Sequence, residues 1–181
     1  MIDILKDIVK HTHGLGFLDL VKITGTESET AIDSMAEDRS VILQGSFHKP
    51  QAEMAGIFGM PQLSKLDIHL KCPEYRDKAN IKVVKGNRNG AETPVSIHFE
   101  NEKGDFQNDY RFMNAEIINE KLKTVKFKGV KWDVEIEPSV AGVQRFNFQA
   151  TANTEHSTFV VRTEDSKLIF TFGDQASHGG E

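Results

Sequence analysis

The chain has 181 residues and a formal net charge of −5, and 38% of its residues are hydrophobic while 27% are charged. This composition is typical of a globular protein that can bury a core. No apolar run approaches the length of about 20 residues that a membrane helix needs, so no membrane span is expected. The acidic balance excludes an even coat of positive charge but is compatible with a local basic surface. The amino terminus lacks the features of a signal peptide, so we expect a cytoplasmic protein. The single cysteine, Cys72, is expected to be structural.

The first half of the sequence predicts a helix, four short strands and a second helix. Apolar residues recur at helical spacing over residues 2–12, and Gly14 and Gly16 then stop the helix. Gly59, Met60 and Pro61 are predicted to open the second helix, because proline fits the first helical turn. The four strands are predicted at residues 17–23, 29–35, 40–46 and 52–58.

The second half predicts more strands and one further helix. The helical pattern fades over residues 114–123, which we interpret as a linker. Pro138 and Ser139 are predicted to start a third helix, although residues 145–148 also alternate like a strand. Residues 86–90 are rich in glycine and asparagine, but they are interpreted as a hairpin tip, since no lysine–serine pair follows. The predicted strands are residues 80–85, 94–101, 105–113, 125–127, 132–136, 159–163 and 167–172.

One combination of elements occurs twice. In the first copy, a helix is followed by residues 20–24, a charged turn and residues 30–32. In the second copy, a helix is followed by the similar residues 159–163, a charged turn and residues 167–169. With this repeat, the order of elements over nearly the whole chain resembles the DNA polymerase sliding clamps, both proliferating cell nuclear antigen and the phage T4-type clamp. The resembling segments are residues 4–9, 31–41 and 59–66.

The resemblance implies an α+β protein with the DNA clamp fold, in which units of helices and antiparallel sheet are repeated. The first clamp domain would span residues 1–113, the interdomain linker residues 114–123, and a partial second domain residues 124–181. A clamp encircles duplex DNA without reading its sequence, tethers the replicative DNA polymerase, and is placed on DNA by a clamp loader. A homotrimer would follow for a complete T4-like chain, acting in the cytoplasm of the host cell.

In such clamps the helices line the central hole, where cationic side chains meet phosphates. The resemblance implies DNA contact by cations on the exposed helix faces, namely Lys6, Lys10, Lys65, Lys71 and Arg145. His11 and His13 are candidates for a minor contribution. The alternative is that all of these are ordinary solvated charges, since Asp3, Asp7 and Asp67 lie on the same helices.

Partner proteins of clamps dock a short hydrophobic peptide in a groove beside the interdomain linker, with apolar anchors providing most of the energy. The resemblance implies that this groove involves Met35, Arg39, Val41, Ile117, Ile118 and Leu122. Each of these residues could instead belong to the core, and for Val41 the core is the favoured interpretation.

An enzyme is not predicted. The sequence has no nucleophile elbow, zinc-protease helix, Walker loop or dinucleotide fingerprint. His11 and His13 could supply two metal ligands, but no third ligand is evident. Glu37 and Asp38 would point to opposite faces of a strand and cannot act as a catalytic pair there. We therefore expect no metal or cofactor, and the main competing hypothesis is a structural phage tail or baseplate protein with no role on DNA.

Overall fold

The computed structural model describes residues 1–88, 90–123, 129–173 and 179–180, without the side chains of residues 88 and 91. The chain divides into two compact units, Met1–Lys126 and Phe127–Glu181, called here the first and second units. Both units combine helix with antiparallel sheet, which confirms the predicted α+β class. Residues 125–127, predicted as a strand, lie outside the described residues.

The first unit begins with helix α1, Ile2–His11. The acidic Asp3 in its first turn and the basic Lys10 in its last turn both complement the helix dipole. The α-helix ends one residue before the predicted end, and a short 3₁₀ turn, His13–Leu15, follows it. Gly16 then adopts a left-handed conformation with a φ of 88°, which ends the turn as the sequence predicts.

Four antiparallel strands form the first sheet, in the order β3-β2-β1-β4. Its central strands β1 and β2 are the predicted hairpin, and their register pairs Ile23 with Ile32. In the turn between them, the Thr26 hydroxyl accepts hydrogen bonds from the backbone N–H groups of Ser28 and Glu29 at 3.3 and 3.0 Å. The strands are β1 Leu20–Gly25, β2 Thr30–Met35, β3 Ile42–Ser46 and β4 Gly56–Pro61.

The predicted start of the second helix is wrong, because Gly59, Met60 and Pro61 end strand β4. Met60 pairs with Val21 of β1 and is fully buried, so long-range strand pairing overrides the local preference of proline for a first helical turn. Gln62 then turns the chain in a left-handed conformation, and helix α2, Leu63–Lys71, follows. The predicted strand also began too early, since Ala52–Met54 is a 3₁₀ turn.

The second sheet has three antiparallel strands in the order β5-β6-β7. One isolated bridge, between Gly59 and Met113, connects β4 of the first sheet with the segment that follows β7. In that bridge, Gly59 N donates to Met113 O at 2.9 Å, and Met113 N donates to Gly59 O at 2.8 Å. The predicted hairpin tip at residues 86–90 is too long, because β5 and β6 pair as far as Arg88 and Ala91. Of the remaining tip residues, residue 89 lies outside the described residues. The strands are β5 Asn80–Arg88, β6 Ala91–Glu100 and β7 Gln107–Arg111.

Helices α1 and α2 pack against each other and share one core with both sheets. The helices contribute Leu5, Ile8 and Val9 from α1 and Leu63, Leu66 and Leu70 from α2. Residues 114–123, interpreted as a linker, contain helix α3, Ala115–Lys121. The Asn114 side chain caps α3 by accepting a hydrogen bond from Ile117 N at 2.9 Å, and Ile118 is fully buried.

The second unit consists of helix α4, Val140–Ala152, and a sheet with the order β10-β9-β8. Ser139 caps α4 by accepting a hydrogen bond from Gly142 N at 3.1 Å, so the predicted third helix is confirmed and the strand alternative is excluded. The predicted strand at residues 132–136 is wrong. Its apolar residues are all exposed, so their alternation does not mark a half-buried strand. The strands are β8 Phe159–Glu164, β9 Lys167–Gly173 and β10 Gly179–Gly180.

Candidate nucleic-acid interface

An open groove of about 410 Å³ lies between α1 and α2 in the first unit. Three of its side chains are lysines that the sequence marks as DNA contacts, namely Lys6, Lys10 and Lys71. Its remaining lining residues are Val9, His13, Gly14, Asp67 and Leu70. We call this surface the α1/α2 groove, and it is the place where the structure brings predicted DNA-binding residues together.

The amphipathic pattern of α1 accounts for the position of two of these lysines. Leu5, Ile8 and Val9 are buried in the core, whereas Lys6 and Lys10 are exposed. Residues four apart lie on one face of a helix, about one turn from each other. Lys6 and Lys10 therefore project side by side from α1 over the α1/α2 groove.

Lys71 and two nearby histidines lie close to carboxylates. The Lys71 ammonium bonds the Asp67 carboxylate at 2.5 Å within α2. The ring of His11 lies 3.2 Å from the Asp7 carboxylate, and the ring of His13 lies 3.5 Å from that of Asp19. Within the part of the chain that the structure describes, neither Lys6 nor Lys10 has an ion-pair partner. Their charge is available to a ligand without breaking an ion pair.

Two predicted DNA-binding residues lie away from this groove. Lys65 is exposed in the first turn of α2 but does not line the groove. Arg145 is exposed on α4, in the second unit, beside Phe146 and Gln149. Of the two histidines expected to contribute, His13 lines the groove and His11 lies on the exposed surface of α1.

Asp19, which the sequence does not single out, positions the start of α2. Its carboxylate accepts a hydrogen bond from Ser64 N at 3.0 Å, and its carbonyl accepts one from Leu63 N at 3.3 Å. These bonds satisfy donors that a helix leaves free in its first turn. The Tyr110 hydroxyl donates to the Pro61 carbonyl at 2.5 Å on the same approach to α2. Burial raises the pKa of Tyr110, with a smaller contribution from the charge of Asp19.

A second, narrow cleft lies at the edge of the first sheet. Two of the residues predicted for a partner-peptide groove, Met35 and Leu122, line it together. Ile42, which pairs with Met35 across β2 and β3, is 46% exposed and also lines the cleft. No sequence signal singles out Ile42, which lies inside the strand predicted at residues 40–46 like other apolar residues.

The four remaining residues of the predicted peptide groove differ in exposure. Ile118 is fully buried, and Ile117 is 45% exposed on the outer side of α3. Val41 is 37% exposed, so it is not a core residue. Arg39 is exposed in the turn before β3 with a φ of 61°, next to Asp38. Hydrogen bonds from the Ser40 hydroxyl and backbone N–H lower the pKa of Asp38.

An open cavity of about 650 Å³ lies in the second unit. Its lining is mainly apolar, and Phe146 packs there with ring centroids 5.3 Å from Phe170 and 5.1 Å from Phe172. Arg145 and Gln149 are its polar residues. Such a cavity offers apolar contact but presents no cluster of cations to a phosphate backbone.

No protein-family model matches the chain, and no curated protein matches it either. Within the described residues, no group of three or more His, Cys, Asp or Glu side chains is placed to hold a metal ion. Among the helices of the same residues, none has the length and apolar character to cross a membrane.

Proposed function

We propose that the protein is a sliding clamp with the DNA clamp fold, which encircles duplex DNA and tethers a replicative DNA polymerase. The observation that carries the proposal is the α1/α2 groove, over which α1 presents Lys6 and Lys10, while Lys71 of α2 lies beside them in an ion pair with Asp67. Lysines on exposed helix faces suit phosphates, which carry charge but no sequence information. This is the chemistry that a protein needs if it must hold DNA and still move along it.

The order of elements supports the same proposal. In the first unit α1 is followed by the hairpin β1–β2, and in the second unit α4 is followed by the hairpin β8–β9. Asp165 and Ser166, at the tip of the second hairpin, both have positive φ, as a tight two-residue hairpin turn requires. A repeated helix-and-hairpin unit is expected of a ring built from similar modules, and Arg145 on α4 would be the cation that the second module contributes.

The charge distribution supports a weak and mobile grip on DNA. The chain as a whole has a net charge of −5, so the cations of the groove are a local exception. Log affinity falls as log salt rises, and each phosphate contact adds about 0.9 to the magnitude of this slope. Lys6 and Lys10 of one protomer together therefore contribute about 1.8 to the magnitude of the slope. Between 50 and 200 mM salt this slope corresponds to about a 12-fold loss of affinity.

The remaining parts of the proposal concern partners. An apolar peptide of the DNA polymerase or the clamp loader would dock on the surface beside Met35 and Ile42, since the cleft there, of about 20 Å³, is too small to enclose a side chain and Leu122 is buried. Ile42 and Ile117 are exposed apolar residues that could serve as further contacts. The clamp would be a homo-oligomer, a trimer in the T4-like case, and would work in the cytoplasm of the host cell.

The proposal is tested by DNA binding with matched lysine variants. Fluorescence anisotropy with a labelled duplex of mixed sequence is measured at several salt concentrations for the wild type and for Lys6→Ala/Lys10→Ala. The matched control is Lys49→Ala/Lys103→Ala, which removes the same charge from two exposed lysines that do not line the α1/α2 groove. We expect the salt slope to fall by about 1.8 per protomer in the first variant and to stay unchanged in the control.

Two results would contradict the proposal. One is a wild-type protein that ignores DNA at low salt, as a tail or baseplate protein would. The other is an equal loss of binding in both double variants, because this would show that DNA senses net charge rather than the α1/α2 groove. Light scattering of the same samples measures whether the protein forms the expected oligomer.

A further inference from the structure

The α1/α2 groove contains a carboxylate among its cations. Asp67 lines the groove together with Lys6, Lys10 and Lys71, and its side chain is 20% exposed. Its Oδ2 atom accepts a hydrogen bond from the Lys71 ammonium, which is 74% exposed. A phosphate in this groove would therefore meet two kinds of lysine. Lys6 and Lys10 have no ion-pair partner among the described residues, whereas Lys71 is already paired with the Asp67 carboxylate.

The pairing of Asp67 with Lys71 has a favourable geometry. The acid precedes the base by four residues on one helix, which is the better order for an ion pair of this spacing. Because Asp67 is mostly covered, water and salt screen this pair less than a fully exposed pair. A phosphate that approaches Lys71 competes with the Asp67 carboxylate for the ammonium group and is repelled by the charge of that carboxylate.

We propose that Asp67 is a positioning residue that holds Lys71 back from the phosphate backbone and so weakens the grip of the groove on DNA. This inference rests on the proposed function and assigns a specific role within it. In the wild type, Lys6 and Lys10 make the phosphate contacts, and Lys71 stays with Asp67. A ring that slides needs such a limit, since each added phosphate contact tightens binding.

The variant Asp67→Asn tests this role because it removes the anion and keeps the size of the side chain. Its matched control is Asp3→Asn, which changes the net charge equally on α1 but does not line the groove. In the anisotropy titration, we expect the salt slope of Asp67→Asn to steepen by about 0.9 per protomer, as one new phosphate contact requires. Asp3→Asn should keep the wild-type slope.

Two lysine variants separate positioning by Asp67 from a general effect of charge. Lys71→Ala alone should leave the wild-type slope unchanged, because Lys71 makes no phosphate contact in the wild type. Adding Lys71→Ala to Asp67→Asn should return the steepened slope to the wild-type value. A merely structural role of Asp67 would alter affinity without this dependence on Lys71.

The outcomes distinguish this inference from the proposed function. Salt-sensitive binding by the wild type with an unchanged slope in Asp67→Asn would overturn the role of Asp67 and leave the clamp proposal standing. A loss of about 0.9 from the slope in Lys71→Ala would also overturn it, because Lys71 would then already contact phosphate. A wild type without salt-sensitive binding would contradict the proposed function itself, and the role of Asp67 with it.

Discussion

A methyl group added at Gly59 probes how closely α3 packs on strand β4. A Cβ atom at this position would lie 2.8 Å from Ile118 Cδ1, 2.9 Å from Cγ1 and 3.1 Å from Cβ. Gly45 in strand β3 is the matched control, because a Cβ atom there meets nothing within 4 Å. Neither glycine has a positive φ, so both positions accept the backbone of alanine without strain.

The two substitutions should change stability in opposite directions. Overpacking a filled site costs about 1–3 kcal/mol, while replacing glycine with alanine gains about 0.4–1 kcal/mol by restricting the unfolded chain. Gly59→Ala should therefore lose about 1–2 kcal/mol of unfolding free energy, whereas Gly45→Ala should gain up to about 1 kcal/mol. For a chain of this length, the Gly59→Ala loss corresponds to a Tm lower by about 2–8 °C.

The chain provides its own probe for this measurement. Both of its tyrosines, Tyr75 and Tyr110, are buried in the core of the first unit, so the tyrosine band of the near-ultraviolet circular dichroism reports the unfolding of that unit. Adding Ile118→Ala removes the two nearest atoms, and the double variant with Gly59→Ala should lose less than the sum of the two single losses. Equal shifts of Tm at Gly59 and Gly45, or strictly additive losses, would refute the close packing of α3 on β4.

Three further substitutions test polar groups of the first unit. Burial raises the pKa of Tyr110, so the folded state keeps the phenol proton longer than the unfolded state and stability falls as pH rises above about 10. Tyr110→Phe should lower the unfolding free energy by about 1–2 kcal/mol at neutral pH, because the hydrogen bond to Pro61 is lost. The variant should also lose less unfolding free energy at alkaline pH than the wild type, as measured by denaturant unfolding from pH 8 to pH 11. Burial lowers the pKa of His69, so the unfolded state binds more protons below about pH 6.5 and the unfolding free energy falls on acidification. His69→Gln should make the unfolding free energy less dependent on pH between pH 7 and pH 5. An unchanged pH dependence in this variant would contradict the prediction. Asn101, which is 6% exposed, donates to Glu74 and Asp105 at 3.1 and 2.8 Å, and Asn101→Ala should cost about 2–3 kcal/mol in thermal unfolding.

Local signals predicted much of the fold. The start of α4 follows from Ser139, whose side chain caps the helix within the same short segment. The hairpins follow from apolar strands beside polar turns. The boundary between β4 and α2 was missed because it depends on Met60 pairing with Val21, far away in the sequence. Helix α3 was interpreted as a linker, although its cap Asn114 and the spacing of Ile118 and Leu122 are readable signals of a helix.

The same distinction between local and distant contacts applies to the α1/α2 groove. Lys6 and Lys10 could be identified from the helical spacing of α1, and the pairing of Asp67 with Lys71 is readable as an acid and a base four residues apart. The role of Asp19 could not be read, because it caps α2 across 45 positions of sequence. The contact between α1 and α2 also depends on the shared core, and no local sequence pattern predicts it.

Strands β1 and β8 show why an apolar pattern predicts extension more reliably than burial. Both are six-residue strands rich in β-branched residues, and both follow a helix. Strand β1 lies between β2 and β4, and its Val21 and Ile23 are fully buried. Within the described residues β8 pairs with β9 alone, and its Val160 and Val161 are 64% and 46% exposed. Neighbouring strands and the helices above them therefore decide burial, whereas the residues of a strand decide only that it is extended.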